Sequence, residues 1–131
     1  MVTLLSWHAL EASGAYPDYL SYFNELIGGS DQGYRYLRDS NLDWGQDLKG
    51  VAEWAKKEKC PEVVLGTISP VDLQKAYGVP WRTPTEEENH RPGPYVYALG
   101  LHNFDGIDWV HQYRPAKIIG HSMRIYDFRE K

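Results

Sequence analysis

The densest run of groups able to do chemistry in this 131-residue chain is Asp39-Ser40-Asn41-Leu42-Asp43-Trp44-Gly45-Gln46-Asp47. Several chemistries fit its residue types. Asp39, Asn41 and Asp43 offer oxygen ligands at alternate positions, as the first half of a calcium loop does. In that register, however, Trp44 stands where the sharp-turn glycine belongs, and Gly50 where the bidentate glutamate belongs. Asp39, Asp43 and Asp47 also offer carboxylates for a glycosidase pair, in which one group has a raised pKa and acts as the acid. A binding role asks for less. Trp44 and neighbouring tyrosines would stack on a sugar ring while Asp39, Asn41 and Asp43, with Gln46 and Asp47 beside them, bond its hydroxyls. A purely structural reading stands next to these. Asp39 ends a strand, Asp43 caps a helix with Gln46 reaching back to it, and Trp44 plugs the core. A cap is worth about 1 kcal/mol, which accounts for Asp43 but not for the whole polar run.

Elsewhere the chemical signals are thin. A lone cysteine, Cys60, excludes an intrachain disulfide and any paired-cysteine metal or redox motif. His8, His90, His102, His111 and His121 lack close zinc-ligand spacing, so no metal and no cofactor is expected in this chain. There is no dinucleotide fingerprint, phosphate-binding loop or nucleophile elbow. With net charge −4 and no basic face, nucleic acid is not an expected partner.

The elements that would position the run follow from periodicity. Residues 16–27 place Tyr16, Tyr19, Leu20, Phe23, Leu26 and Ile27 at helical spacing, closed by Gly28-Gly29. Residues 33–40 alternate like a short strand. A helix starting at Asp43 buries Trp44, Leu48, Val51, Ala52 and Ala55 and ends near Lys59, before Pro61. Residues 62–68 form a strand rich in β-branched side chains, and Asp72 and Gly78 bracket another helix. Four of the eight prolines and the Glu86-Glu87-Glu88 run predict an exposed loop over 80–94. A strand follows at 94–101, then one or two helical turns at 108–113. Residues 116–128 form two strands hinged at 120–122 or one strand with a glycine bulge. Strands alternating with helices predict a single α/β domain. Its sheet is mixed and mostly parallel, with four or five strands, helices packed on it and a C-terminal antiparallel hairpin.

Length and composition suit one globular domain that needs no staples. Five Trp, ten Tyr and three Phe make the chain 14% aromatic, enough for a core with hydrogen-bonding edges and for exposed stacking surfaces. Residues 2–10 are apolar but too few to span a bilayer, and they lack a basic leader or a cleavage site.

Two stretches, YPDYLSYFNELIGG (16–29) and GYRYLRDSNLDWGQDLKG (33–50), resemble a segment of bacterial polytopic membrane glycosyltransferases. These enzymes are akin to protein O-mannosyltransferases and aminoarabinose transferases, and use polyprenyl-phosphate-linked sugars. PGPYVYALGLHNFDG (92–106) and RPAKIIGHSMRIYDF (114–128) are more loosely similar to the ends of such chains, and residues 60–91 match weakly. The resemblance implies an extracytoplasmic domain (16–131) following the last transmembrane helix, with 1–15 as an apolar stub of that helix. It implies as partners the transmembrane part of the parent chain and a lipid-linked sugar or glycan acceptor. The acidic base of these transferases lies in a loop between early membrane helices, a region without counterpart here, so no catalytic residue carries over. Asp39, Asn41, Asp43, Trp44, Gln46 and Asp47 match the family's motif and become candidate substrate-binding residues.

Overall fold

Three short segments carry apolar side chains at every position and can only be strands buried on both faces. They are β1 (Val63–Gly66), β3 (Val96–Gly100) and, but for Arg124 and its last residue, β5 (Met123–Asp127). The computed structural model describes residues 2–16, 19, 22–36, 44–68 and 71–129. In it these strands are joined by β2 (Trp81–Arg82) and β4 (Lys117–Ile119) in one open five-stranded sheet of order β2-β1-β3-β5-β4. β1 runs parallel to β2 and β3, and β5 runs antiparallel to β3 and β4. The predicted architecture, a single mixed α/β domain ending in an antiparallel hairpin, is the observed one.

Alternation along the strands separates two cores. Val63, Leu65, Val96, Ala98, Met123 and Ile125 face helix α2 (Leu48–Lys57), which contributes Leu48, Val51, Ala52 and Ala55. Helix α3 (Leu73–Tyr77) adds Leu73 to the same layer. As the sequence predicts, Asp72 caps α3 by accepting from the N–H groups of Gln74 and Lys75, and Gly78 closes it in the left-handed conformation. On the other face Val64, Tyr97, Leu99 and Tyr126 meet Ile107, Trp109 and Val110 from the segment after β3. Trp109 is the centre of that layer. Its ring meets Tyr97, Tyr126 and Phe128 edge-on at 5.2–5.4 Å, and its indole N–H donates to the Glu88 carbonyl at 2.7 Å.

Four expectations need correction. The predicted helix over 16–27 is reduced, among the described residues, to a 3-10 turn at Glu25–Ile27. The Phe23 N–H donates to the Ser30 hydroxyl, and Tyr16, Tyr19 and Leu26 are exposed. The predicted strand at 33–40 falls partly outside the described residues. Its described part belongs to a 3-10 segment, Ser30–Arg35, closed by local bonds such as Tyr36 N–H to Gly33 C=O. Helix α2 begins one turn later than predicted, and Trp44 is 65% exposed rather than packed in the core. Finally, the expected loop at 80–94 contains β2 and helix α4 (Glu86–His90). Thr85 and Glu88 form a capping box there, and the Glu88 carboxylate is buried. The Arg82 guanidinium grips it with two bonds of 2.6 Å, and the Tyr97 hydroxyl donates to it at 3.1 Å. These contacts, the Arg82 fork first, hold Glu88 down at about 2.

The amino-terminal helix α1 (Val2–Gly14) differs from all of these. Leu4, Leu5, Trp7 and Leu10 are 60–75% exposed and cover more than half of its circumference. Such a helix has no polar face to turn to water. Among the described residues no helix is long and apolar enough to cross a membrane.

Candidate functional site

The six motif residues do not form one constellation in the described structure. Asp39, Asn41 and Asp43 lie outside the described residues. Trp44 is exposed, and Gln46 folds back so that its carbonyl oxygen accepts from the Trp44 N–H at 2.7 Å. Asp47 immediately precedes α2 and is buried. It accepts from the Ser122 hydroxyl at 2.6 Å and from the Ser122 N–H at 3.3 Å. Its carboxylate lies against Gly120, where any Cβ would collide with it and where φ of +53° suits glycine. Asp47 therefore anchors the β4–β5 turn to the start of α2, across 75 residues of sequence. A buried carboxylate bonded in this way is engaged structurally, and a hydrolase built on this run would have to do without it as a free acid.

The anchored turn leads to a cleft. His121, next to Ser122, lines a cavity of about 530 Å3 between α1 and residues 22–30. Trp7, Leu10, Tyr22 and Phe23 supply its apolar and aromatic walls, and Glu11, Glu25 and Ser30 its polar groups. A hydrogen bond with Glu25 holds Glu11 below the ordinary carboxylate value, and bonds with Trp7 and Tyr22 add to the effect. Burial pushes the Tyr22 hydroxyl up, and its bond to Glu11 adds to that. The 22–30 wall is shaped by Gly33, whose close approach to the Phe23 ring leaves no room for a side chain. Chemically, the cleft combines flat aromatic surface with carboxylate acceptors and a hydroxyl, which is the equipment for binding a polyhydroxylated ring.

Sequence reasoning did not find this cleft. One signal was present, because Trp7 and Glu11 stand four apart on one helical face. His121 and Glu25 reach it from distant segments that only the fold brings together. The remaining chemistry is subdued. Burial pushes the Cys60 thiol up, away from the reactive thiolate. His90 Nδ1–H donates a 2.6 Å bond to the Asp108 carboxylate, which raises the His90 pKa, and the His102 Nε2 is buried without a partner among the described residues. Among the described residues, no group of three His, Cys, Asp or Glu side chains is placed to hold a metal ion.

Comparison with protein-family models, with curated proteins and with solved structures finds no match for this chain.

Proposed function

We infer that this chain is an extracytoplasmic accessory domain of a membrane glycosyltransferase that moves a sugar from a polyprenyl-phosphate carrier. In this reading the domain positions the acceptor or the carried sugar, and catalysis belongs to the transmembrane part of the parent chain. One observation supports it above the motif resemblance: the exposed apolar helix α1 forms one wall of a cleft furnished for a sugar. A ligand with a polyhydroxylated head and a hydrocarbon tail, or a glycan held at a membrane surface, matches that pairing. Trp7 and Tyr22 would face the ring, and Glu11, Glu25 and Ser30 would accept from or donate to its hydroxyls.

The test is an amide-resolved NMR titration of the whole chain in bicelles, with a short-chain polyprenyl-phosphate hexose set against empty bicelles. The reading expects sugar-dependent shifts at Glu11, Tyr22, Glu25 and Ser30, in addition to lipid-dependent shifts along α1. Identical spectra with and without the sugar-bearing lipid would overturn it. Equal shifts from the free hexose in lipid-free buffer would replace it with a free-standing carbohydrate-binding module.

A further inference from the structure

The chain leaves β1 through α3 to reach β2 on one side, and leaves β2 through α4 to reach β3 on the other side of β1. In open α/β sheets, connections that diverge in this way leave a crevice outside the carboxyl ends of the strands, where ligands bind. Here that crevice is real and separate from the α1 cleft. It has a volume of about 250 Å3 and draws on all three strand ends. Gly66 and Thr67 come from the end of β1, Thr83 from the residue after β2, Asn89 from α4, and Asn103 and Ile107 from the segment after β3.

Its chemistry is uniform. The polar side chains that line it carry hydroxyls and carboxamides, and no ionisable side chain lines it. Thr83 is exposed and Asn89 and Asn103 are half-buried, so the hydroxyl and the two carboxamides stand open to a ligand in the crevice. Buried Ile107, with Gly66, supplies an apolar floor. Gly66 keeps the space open: a Cβ there would stand 2.8 Å from Leu99 Cδ2 and 3.4 Å from Asn103 Nδ2.

We propose that this crevice is a binding site for an uncharged polyhydroxylated molecule the size of one monosaccharide. Each polar side chain in the lining both donates and accepts, which suits hydroxyls that do the same. The absence of a lining cation gives an anion nothing to pair with, and the absence of a lining carboxylate does the same for an ammonium group. The volume lies below the roughly 300–1,000 Å3 of sites for drug-sized ligands, which points to a single ring. This site stands on different residues from the α1 cleft and does not depend on the transferase reading.

The test uses the full chain in lipid-free buffer. D-mannose, D-glucose and N-acetylglucosamine are titrated separately, with sodium phosphate and lysine as charged probes, and amide and carboxamide NMR shifts are followed. The expected result is saturable movement of Gly66, Thr67, Thr83, Asn89 and Asn103 with at least one neutral sugar and with neither charged probe. Thr83→Val, a near-isosteric change at an exposed position, and Asn103→Ala should each weaken binding about tenfold, the size of one lost hydrogen bond. Three results would overturn the proposal: no saturable shift at these amides, binding of phosphate or lysine in place of sugar, or a folded Thr83→Val variant of unchanged affinity. Shifts here without lipid leave the transferase reading to its own bicelle experiment, so the two fail separately.

Discussion

Among the described residues, the chain closes most of its apolar surface from Leu48 onward and little of it before. All twenty buried apolar residues among those described lie between Leu48 and Tyr126. Nine of the thirteen exposed large apolar residues among those described, from Leu4 to Trp44, lie in the shorter amino-terminal part. The carboxy-terminal part is a sheet covered on both faces, with Asp47, Glu88 and Ser122 paired inside it. The amino-terminal part presents Leu4, Leu5, Trp7, Leu10 and Leu26 to solvent beside a cleft. On the function proposed above, this exposed apolar area is the surface that meets a membrane or a partner. The comparison therefore assigns stability to one part of the chain and encounter to the other.

The comparison breaks if the two parts respond alike to truncation. Trp109→Ala removes the centre of one core layer and should cost about 3–5 kcal/mol in chemical denaturation. Serine at Leu4, Leu5 and Leu10 together should change stability by less than about 0.5 kcal/mol per site, as solvent-exposed positions do.

Next in size is the buried ion pair. Glu88→Gln should cost about 2–3 kcal/mol near neutral pH, because it removes the anion from two of the Arg82 bonds and leaves only Glu62 paired with it. The sign of the pH dependence follows from a folded pKa depressed to about 2 against an ordinary value of 4.5. Its stabilisation is present in full above the ordinary value and is lost as pH falls from about 4.5 towards 2. Denaturation midpoints measured across that window should fall steeply for the parent chain and more gently for Glu88→Gln.

Smaller again is Asp47→Ala, at about 1–3 kcal/mol, because Ser122 loses its acceptor in a buried place. Hydrogen exchange should then quicken first at residues 120–122. If it quickened instead across α1, the anchor would belong to the encounter surface and the division drawn above would move.

The two parts also differed in how far the sequence disclosed them. The α2 face was legible because Leu48, Val51, Ala52 and Ala55 keep helical spacing and the core confirms it. Asp72 and Gly78 were legible because capping is local chemistry. The Thr85–Glu88 capping box was written in the sequence too, but surrounding prolines and acids gave the segment the look of a loop. The Arg82 partner that buries Glu88 lies outside the box. Asp47 was singled out for ligand chemistry because its bond to Ser122 spans 75 residues, beyond any local pattern. Residues 16–27 misled in the opposite direction. Their apolar periodicity is real, yet among the described residues Tyr16, Tyr19 and Leu26 face solvent and only a 3-10 turn forms at Glu25–Ile27. The strand-end crevice was invisible because it depends on strand order.

The most direct test of the division is vesicle flotation. The full chain is mixed with zwitterionic phosphatidylcholine vesicles, chosen because a net charge of −4 would be repelled by anionic lipid. The account predicts that the chain rises with the vesicles, and that the Leu4→Ser, Leu5→Ser, Leu10→Ser variant, equally stable, stays behind. A parent chain that remains at the bottom, or a triple variant that floats as well as the parent, would contradict it.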